Sequence, residues 1–209
     1  VCHHVLVHPP GGIAGGDTLD LRLHLAAGAH ALLTTPGAAR FYRSAGESAQ
    51  QRLAAHIDGD ARLEWLPQEA IAYPGCRAQN ALRLMLAPGA EMIGWDVLAL
   101  GLPAAGEAFD RGQVLQHIEI PGVWLERGRI DAADTRMLHS ALGLAGRPVL
   151  ATMWFAAGSP LTSARREAML DAARDAVSGG SEIDSRAVAG CSASAVATDL
   201  YDRQGLYDE

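Results

Sequence analysis

No lysine occurs in this sequence: all 17 basic residues are arginine, set against 24 Asp and Glu for a formal charge of -7. An acidic chain with no basic run lacks the electrostatic footprint that a phosphate backbone requires, which argues against nucleic acid as a partner. Cysteine is scarce. Cys2, Cys76 and Cys191 form no CxxC pair, so neither a disulfide framework nor a structural zinc knot is expected, and a reducing compartment fits. Long hydrophobic runs are missing as well. The longest, Val149 to Ala157, falls far short of the roughly 20 residues that span a bilayer. No basic stretch precedes a short apolar one, as a secretory signal would require. These absences lead to the expectation of a soluble, cytoplasmic protein without a membrane partner. The sequence begins at Val1 inside a strand pattern, and the parent chain is expected to extend beyond these ends.

What is present is 49% hydrophobic over 209 residues, with only 5% aromatic. Such a chain can bury roughly 70% of its unfolded surface, enough for one sizeable core. Within the first hundred residues one pattern occurs three times: an alternating apolar run, a glycine turn, and a second apolar run. The copies are Leu21 to Thr35, Leu53 to Leu66 and Leu82 to Asp96, with turn glycines at Gly28, Gly59 and Gly89. Leu21, Leu23 and Leu25 fall on one face of a strand, and Leu82, Leu84 and Leu86 repeat the arrangement. Each unit reads as a β-hairpin of about 30 residues that cannot bury its apolar face alone, so successive units should stack. The fold class expected is mainly β, in stacked hairpin or β-helix-like layers with one or two short helices towards the C-terminus; a plain β-sandwich shows similar turn spacing.

A further strand pair is read at Val114 to Ile120 and Val123 to Ile130 around Pro121-Gly122, and another strand at Val149 to Ala157. Ala164 to Val177 then reads as a helix capped by Thr162 or Ser163, with Met169, Ala173, Ala176 and Val177 as its apolar stripe and Gly179-Gly180 as its stop. From Ser181 onward the periodicity fades and an irregular segment is expected. The division expected is a layered core over residues 1–158 and a helix plus irregular segment over 159–209, packed on the same domain.

The glycine-rich stretch His8 to Asp17 is no phosphate loop, because a strand pattern follows it where a helix N-terminus is needed. A tight structural loop is the simpler reading. His3, His4 and His8 cluster early; on a strand His4 and His8 share a face, with His3 opposite. They leave open a metal-dependent enzyme on a β-helical or sandwich scaffold, although no HxH or HExxH spacing supports a closed site. No GxSxG elbow occurs, and Glu64 and Glu69 are separated by Pro67, so no acid/base pair can be read. Glu64, Asp96 and Glu126 each sit beside or near a tryptophan. Such acids either line a polar interior seam or are the solvent-facing members of alternating strands.

Five segments together carry a resemblance: HPPGGIAGGD (His8 to Asp17), LLTTPGAARFYRS (Leu32 to Ser44), LEWLPQEAI (Leu63 to Ile71), IGWDVLALGLPAAGEAF (Ile93 to Phe109) and WLERGRI (Trp124 to Ile130). In order and spacing this set resembles the urease accessory protein UreD family, also called UreH. Ala39 and Arg40 depart from it, standing where the family carries a hydroxyl residue and a lysine. The resemblance implies a non-catalytic scaffold that binds apo-urease and the accessory protein UreF, with the GTPase UreG recruited through UreF. It implies no tightly bound cofactor and a transient passage of nickel through an internal polar tunnel. Carried onto this sequence, the metal-guiding acids are Asp17, Asp96 and Glu126, with Glu64 and Glu69 as second choices. Thr34, Thr35, Tyr42, Arg43 and Gln68 are then the residues that shape the passage.

Overall fold

The computed structural model describes residues 1–8, 11–179 and 191–199. Its elements in chain order are β1 (Cys2–Val5), β2 (Thr18–Leu25), β3 (His30–Thr34), β4 (Ala39–Phe41), β5 (Ala49–Ile57), β6 (Arg62–Trp65), β7 (Ala70–Ala72), β8 (Arg77–Leu86) and β9 (Glu91–Leu100). There follow β10 (Gln113–Ile120), β11 (Trp124–Asp131), α1 (Thr135–His139), β12 (Val149–Ala157), α2 (Ser163–Gly179) and β13 (Cys191–Asp199). One sheet of five strands runs β11-β10-β8-β5-β2; another of eight runs β1-β3-β6-β9-β12-β13, with β7 joined to β9 and β4 to β7. The result is a mostly β, solenoid-like stack of about three turns.

The three copies seen in the sequence are real, but they are not hairpins. Each glycine turn carries the chain from the five-stranded sheet to the eight-stranded one, and each strand pairs in parallel with its equivalent in the next copy. Period-two alternation cannot tell a hairpin from such an arc, because both present one apolar face. The arc wins because it turns the two apolar faces of a unit towards each other, whereas a hairpin leaves its face uncovered. The pairing steps are 32 residues (Leu21 to Leu53) and 29 residues (Leu53 to Leu82). Equivalent turn positions follow the same steps: Gly28 at φ +72°, Asp60 at φ +58° and Gly89 at φ +82°. Asp60, not Gly59, therefore holds the left-handed position in the middle copy, one of the few conformations that aspartate tolerates better than most residues.

The strands expected around Pro121-Gly122 are β10 and β11, an antiparallel pair, and Val149–Ala157 is β12. Thr162 Oγ1 accepts from the Arg165 amide at 3.4 Å, capping α2. The Arg165 guanidinium binds both oxygens of Glu91 on the outer face of β9 and lies 5.6 Å from the Phe155 ring centre, which fastens the helix to the eight-stranded sheet. Met169 and Ala173 are half-buried as the stripe requires; the side chains of Ala176 and Val177 lie outside the described ones. Within the segment read as irregular, Cys191–Asp199 is a strand parallel to β12. Residues 180–190 and 200–209, and Pro9 and Pro10 of the glycine-rich loop, lie outside the described residues.

Inward-facing residues form two apolar clusters. One contains Leu53, Leu63, Leu82, Met92, Ile118 and Trp154; the other contains Phe41, Ala72, Cys76, Leu100 and Val114. Burying each large side chain contributes about 1.5–3 kcal/mol, so the stack is held chiefly by this interior. One rung of the first cluster reads Leu33-Trp65-Gly94-Trp154 across four strands. A Cβ at Gly94 would sit 2.6 Å from Cζ2 of Trp154, so the indole occupies the space that the glycine leaves open. Gly94→Ala is expected to cost about 1–3 kcal/mol by overpacking, measured by denaturant unfolding. Gly37→Ala, where nothing lies within 4 Å, should change stability by less than about 0.5 kcal/mol.

Candidate functional site

The apolar series on the inner face of the five-stranded sheet is interrupted at one level. Gln51 on β5, Asn80 on β8 and Gln116 on β10 are register partners, so three amides stand side by side two residues before Leu53, Leu82 and Ile118. Asp96 on the inner face of β9 meets them from the opposite sheet. Asn80 Nδ2 donates to Asp96 Oδ1 at 2.8 Å, and Gln116 Nε2 donates to Asp96 Oδ2. Gln51 Nε2 donates to Asn80 Oδ1 at 3.4 Å, closing the row. Asn80 is only 3% exposed, and its bonds explain how so buried an amide is tolerated.

The row continues towards β11. Thr152, the register partner of Asp96 on β12, donates from Oγ1 to Glu126 Oε1 at 3.3 Å. Burial pushes the Asp96 carboxyl up from 3.8 to about 6; the Gln116 and Asn80 amides oppose that rise, and the negative charge of Glu126 adds to it. Two acids therefore share one polar layer between the two apolar clusters. Among the described residues their hydrogen-bond partners are neutral amide and hydroxyl groups, with no arginine, so the layer carries uncompensated negative charge when both ionise.

A cavity of about 350 Å³ leads to this layer from the surface. His8, Gly11, Pro36 and Arg40 stand at its outer part, and Gln51, Trp65 and Asp96 line it within. Its walls include the loops between β3 and β4 and between β6 and β7, tied together by two bonds, Thr34 Oγ1 to the Leu66 carbonyl at 2.7 Å and the Gln68 amide to Thr35 Oγ1 at 2.9 Å; Trp95 Nε1 on β9 donates to the Pro67 carbonyl at 2.7 Å and anchors the second loop. A second hollow, of about 990 Å³, lies on the outer face of the five-stranded sheet among Arg22, Arg52, Arg83, Arg127 and Arg129. Asp20 and Glu119 also line that hollow and pair with Arg22 and Arg83, but arginine predominates there, whereas the first cavity is lined by Asp96.

Of the residues singled out in the sequence, Asp96 and Glu126 are brought together. Asp17 is not among their hydrogen-bond partners: it lies exposed in the turn before β2, where its Oδ2 accepts from the Ala14 amide at 3.1 Å. Glu64 faces outward on β6 and binds His30 Nε2 at 2.7 Å. Glu69 is half-buried between β6 and β7, and its carbonyl accepts from the Ala39 amide. Thr35 and Gln68 line the cavity and Thr34 braces it. Tyr42 packs edge-on against Tyr73 and close under Gly12, and Arg43 bridges to Cys76; neither lines the cavity. Gln51, Asn80, Gln116 and Thr152 were not anticipated. Aligning the second and third copies on Leu53 and Leu82 would have shown Gln51 and Asn80 at one inward position, where the first copy has Leu19; Gln116, on β10, joins them only through strand register. Among the described residues no three His, Cys, Asp or Glu side chains converge as a metal-ligand group, so the N-terminal histidines do not form a closed metal centre with other such ligands.

A raised carboxyl pKa gives the layer a pH signature. Between pH 3.8 and about 6 the folded chain binds more protons at Asp96 than the unfolded chain does, so its stability falls as pH rises through that window. Asp96→Asn removes this dependence. The stability of the variant relative to the parent chain should grow from pH 4 upwards and level off above about 6.5, as read from paired denaturant titrations.

The chain matches, over residues 1–205, the family described as UreD urease accessory protein. Among curated proteins, the urease accessory protein UreD of Variovorax paradoxus is 61% identical over 177 residues, covering 85% of this chain and 64% of that protein. The UreD proteins of Albidiferax ferrireducens and Leptothrix cholodnii are 63% and 60% identical, each over 83% of this chain and 63% of their own length. The chain thus spans a little under two thirds of these relatives, all of them accessory proteins by name rather than enzymes. With identity of this order across most of its length, the chain belongs to the UreD family of urease accessory proteins.

Proposed function

We propose that this chain acts in urease maturation as a non-catalytic scaffold that conducts nickel to apo-urease through its acid-bearing interior. The observation that carries this reading is the pair Asp96 and Glu126, held in a layer of amides and hydroxyls inside an otherwise apolar stack and reached by a cavity. Enclosing Asp96 beside the half-buried Glu126 without a basic partner is costly, so their presence favours a cation as the compensating charge. Carboxylate, carbonyl and hydroxyl oxygens are hard donors that bind a borderline ion weakly. Weak binding at successive positions favours transfer over storage.

The route runs from the mouth at His8 and Arg40, along Gln51 to Asp96, and past Thr152 to Glu126 near the edge of the five-stranded sheet. Thr34, Thr35 and Gln68 keep its walls in place. In this reading apo-urease and UreF are the partners, UreG joins through UreF, and nickel passes without remaining as a cofactor. Asp17 stands in an exposed turn outside the layer, off this route.

The test is reconstitution. The chain, UreF and apo-urease are purified together, and urease nickel content and activity are measured after addition of UreG, GTP, bicarbonate and nickel. Asp96→Ala and Glu126→Ala should leave the complex intact and lower nickel loading by roughly tenfold. Asp17→Ala should load near normally; a loss equal to that of Asp96→Ala would put Asp17 on the route. Normal loading with Asp96 and Glu126 both replaced would reduce the chain to a docking platform.

A further inference from the structure

Cys2 and His4 alternate on β1, so both side chains lie on the same face, and His3 lies on the other. β1 pairs in parallel with β3, placing Cys2 beside Ala31 and His4 beside Leu33, both core residues. The pair therefore sits on the inner face of the eight-stranded sheet at its β1 edge. Beyond the end of β1 at Val5 the chain continues through Leu6, Val7 and His8, which line the cavity leading to Asp96. Both residues are exposed, and the Cys2 thiol is free.

The two donor atoms are already at chelating distance. With bonds of about 2.3 Å to sulfur and 2.05 Å to nitrogen, a right angle at the ion separates the donors by about 3.1 Å and a tetrahedral angle by about 3.6 Å. Cys2 Sγ and His4 Nε2 are 3.2 Å apart. Among the described residues neither side chain has a carboxylate partner that would have to be displaced. Cys76 provides a contrast: burial pushes its thiol up to about 11, so it stays protonated inside the second apolar cluster.

We propose that Cys2 and His4 form a two-point surface chelate for a borderline divalent transition metal such as nickel or cobalt, at the sheet edge beside the cavity mouth. On binding, Sγ gives up its proton to water, imidazole binds through neutral Nε2, and two waters leave the ion. The remaining positions stay with water or a donor from outside this chain. A pair of strand residues cannot enclose the ion, so it stays exchangeable. The site is independent of the passage proposed above, because it needs no ion to cross the interior.

The reduced chain is titrated with cobalt(II) without oxygen. The expected result is a near-ultraviolet sulfur-to-cobalt charge-transfer band that saturates at one ion per chain. Cys2→Ser should abolish the band, and His4→Ala should weaken binding by at least about tenfold. His3→Ala, on the opposite face, and Asp96→Ala, in the interior, should leave the titration unchanged. A band that survives Cys2→Ser, one that disappears with His3→Ala, or the lack of any saturable band would overturn the proposal. Loss with Asp96→Ala would likewise overturn it by moving the ion to the interior, whereas failure of nickel loading in reconstitution would bear on the passage alone.

Discussion

A carboxylate enclosed between two β-sheets has to be compensated, and Asp96 sets the terms on which the middle of this stack is built. Its two oxygens receive the amides of Asn80 and Gln116, and those amides are available only because β8 and β10 pair in register. A slip of β10 by one residue would turn Gln116 outward and take that amide from the acid. Hydrogen bonds alone do not restore the solvation the acid has lost, as its pKa of about 6 indicates. The layer is therefore fixed in geometry and still short of positive charge. This combination separates it from a structural polar contact, in which donors and charge are both satisfied.

The polar layer also explains why the core is two clusters and not one. Leu53, Leu82 and Ile118 lie just on one side of the amides, and Ala49, Ala78 and Val114 lie on the other, along the same three strands. Each cluster is continuous across the sheets, so the stack survives the interruption. On the opposite wall the exchange of volume between Gly94 and Trp154 keeps the first cluster close-packed right up to Asp96, two residues further along β9. Dense apolar packing on both sides confines the inward polar groups to a single level.

Much of this was legible in the sequence, and the limits are physical. Alternation marks which residues point inward, so the strands of the copies, the β10-β11 pair and β12 could be read. It is silent about the partner of each strand, which is why arcs between sheets look like hairpins. Turn glycines misled by one position, since Asp60 occupies the left-handed site and Gly59 beside it does not. Asp96 and Glu126 stood out as acids in apolar surroundings. Glu64 carried the same signal but faces outward to His30, because its parity on β6 is opposite to that of Trp65. The amides were invisible to a search for charge; only register between copies makes Gln51, Asn80 and Gln116 one row. The Cys2 and His4 pair was likewise hidden by a search for closed ligand sets, since a strand places alternate residues together without any motif.

The chemistry of the donors gives the arrangement a direction. Thiolate and imidazole at the β1 edge are the softer, stronger ligands for a borderline cation, and the carboxylates, amides and hydroxyl of the interior are harder and weaker. Placed in the reverse order, an interior thiolate would trap the ion, and burial has made the one thiol near that region, Cys76, reluctant to ionise. On the two proposals above, the edge site would offer an ion ligand strength, whereas the interior would offer it the charge of two carboxylates. Because burial raises the Asp96 carboxyl to about 6, a proton competes with a cation for that carboxylate only on the acid side of neutrality. On the proposed route a cation and a proton would compete at one residue, so acidification below about pH 6 would weaken the layer's hold on an ion.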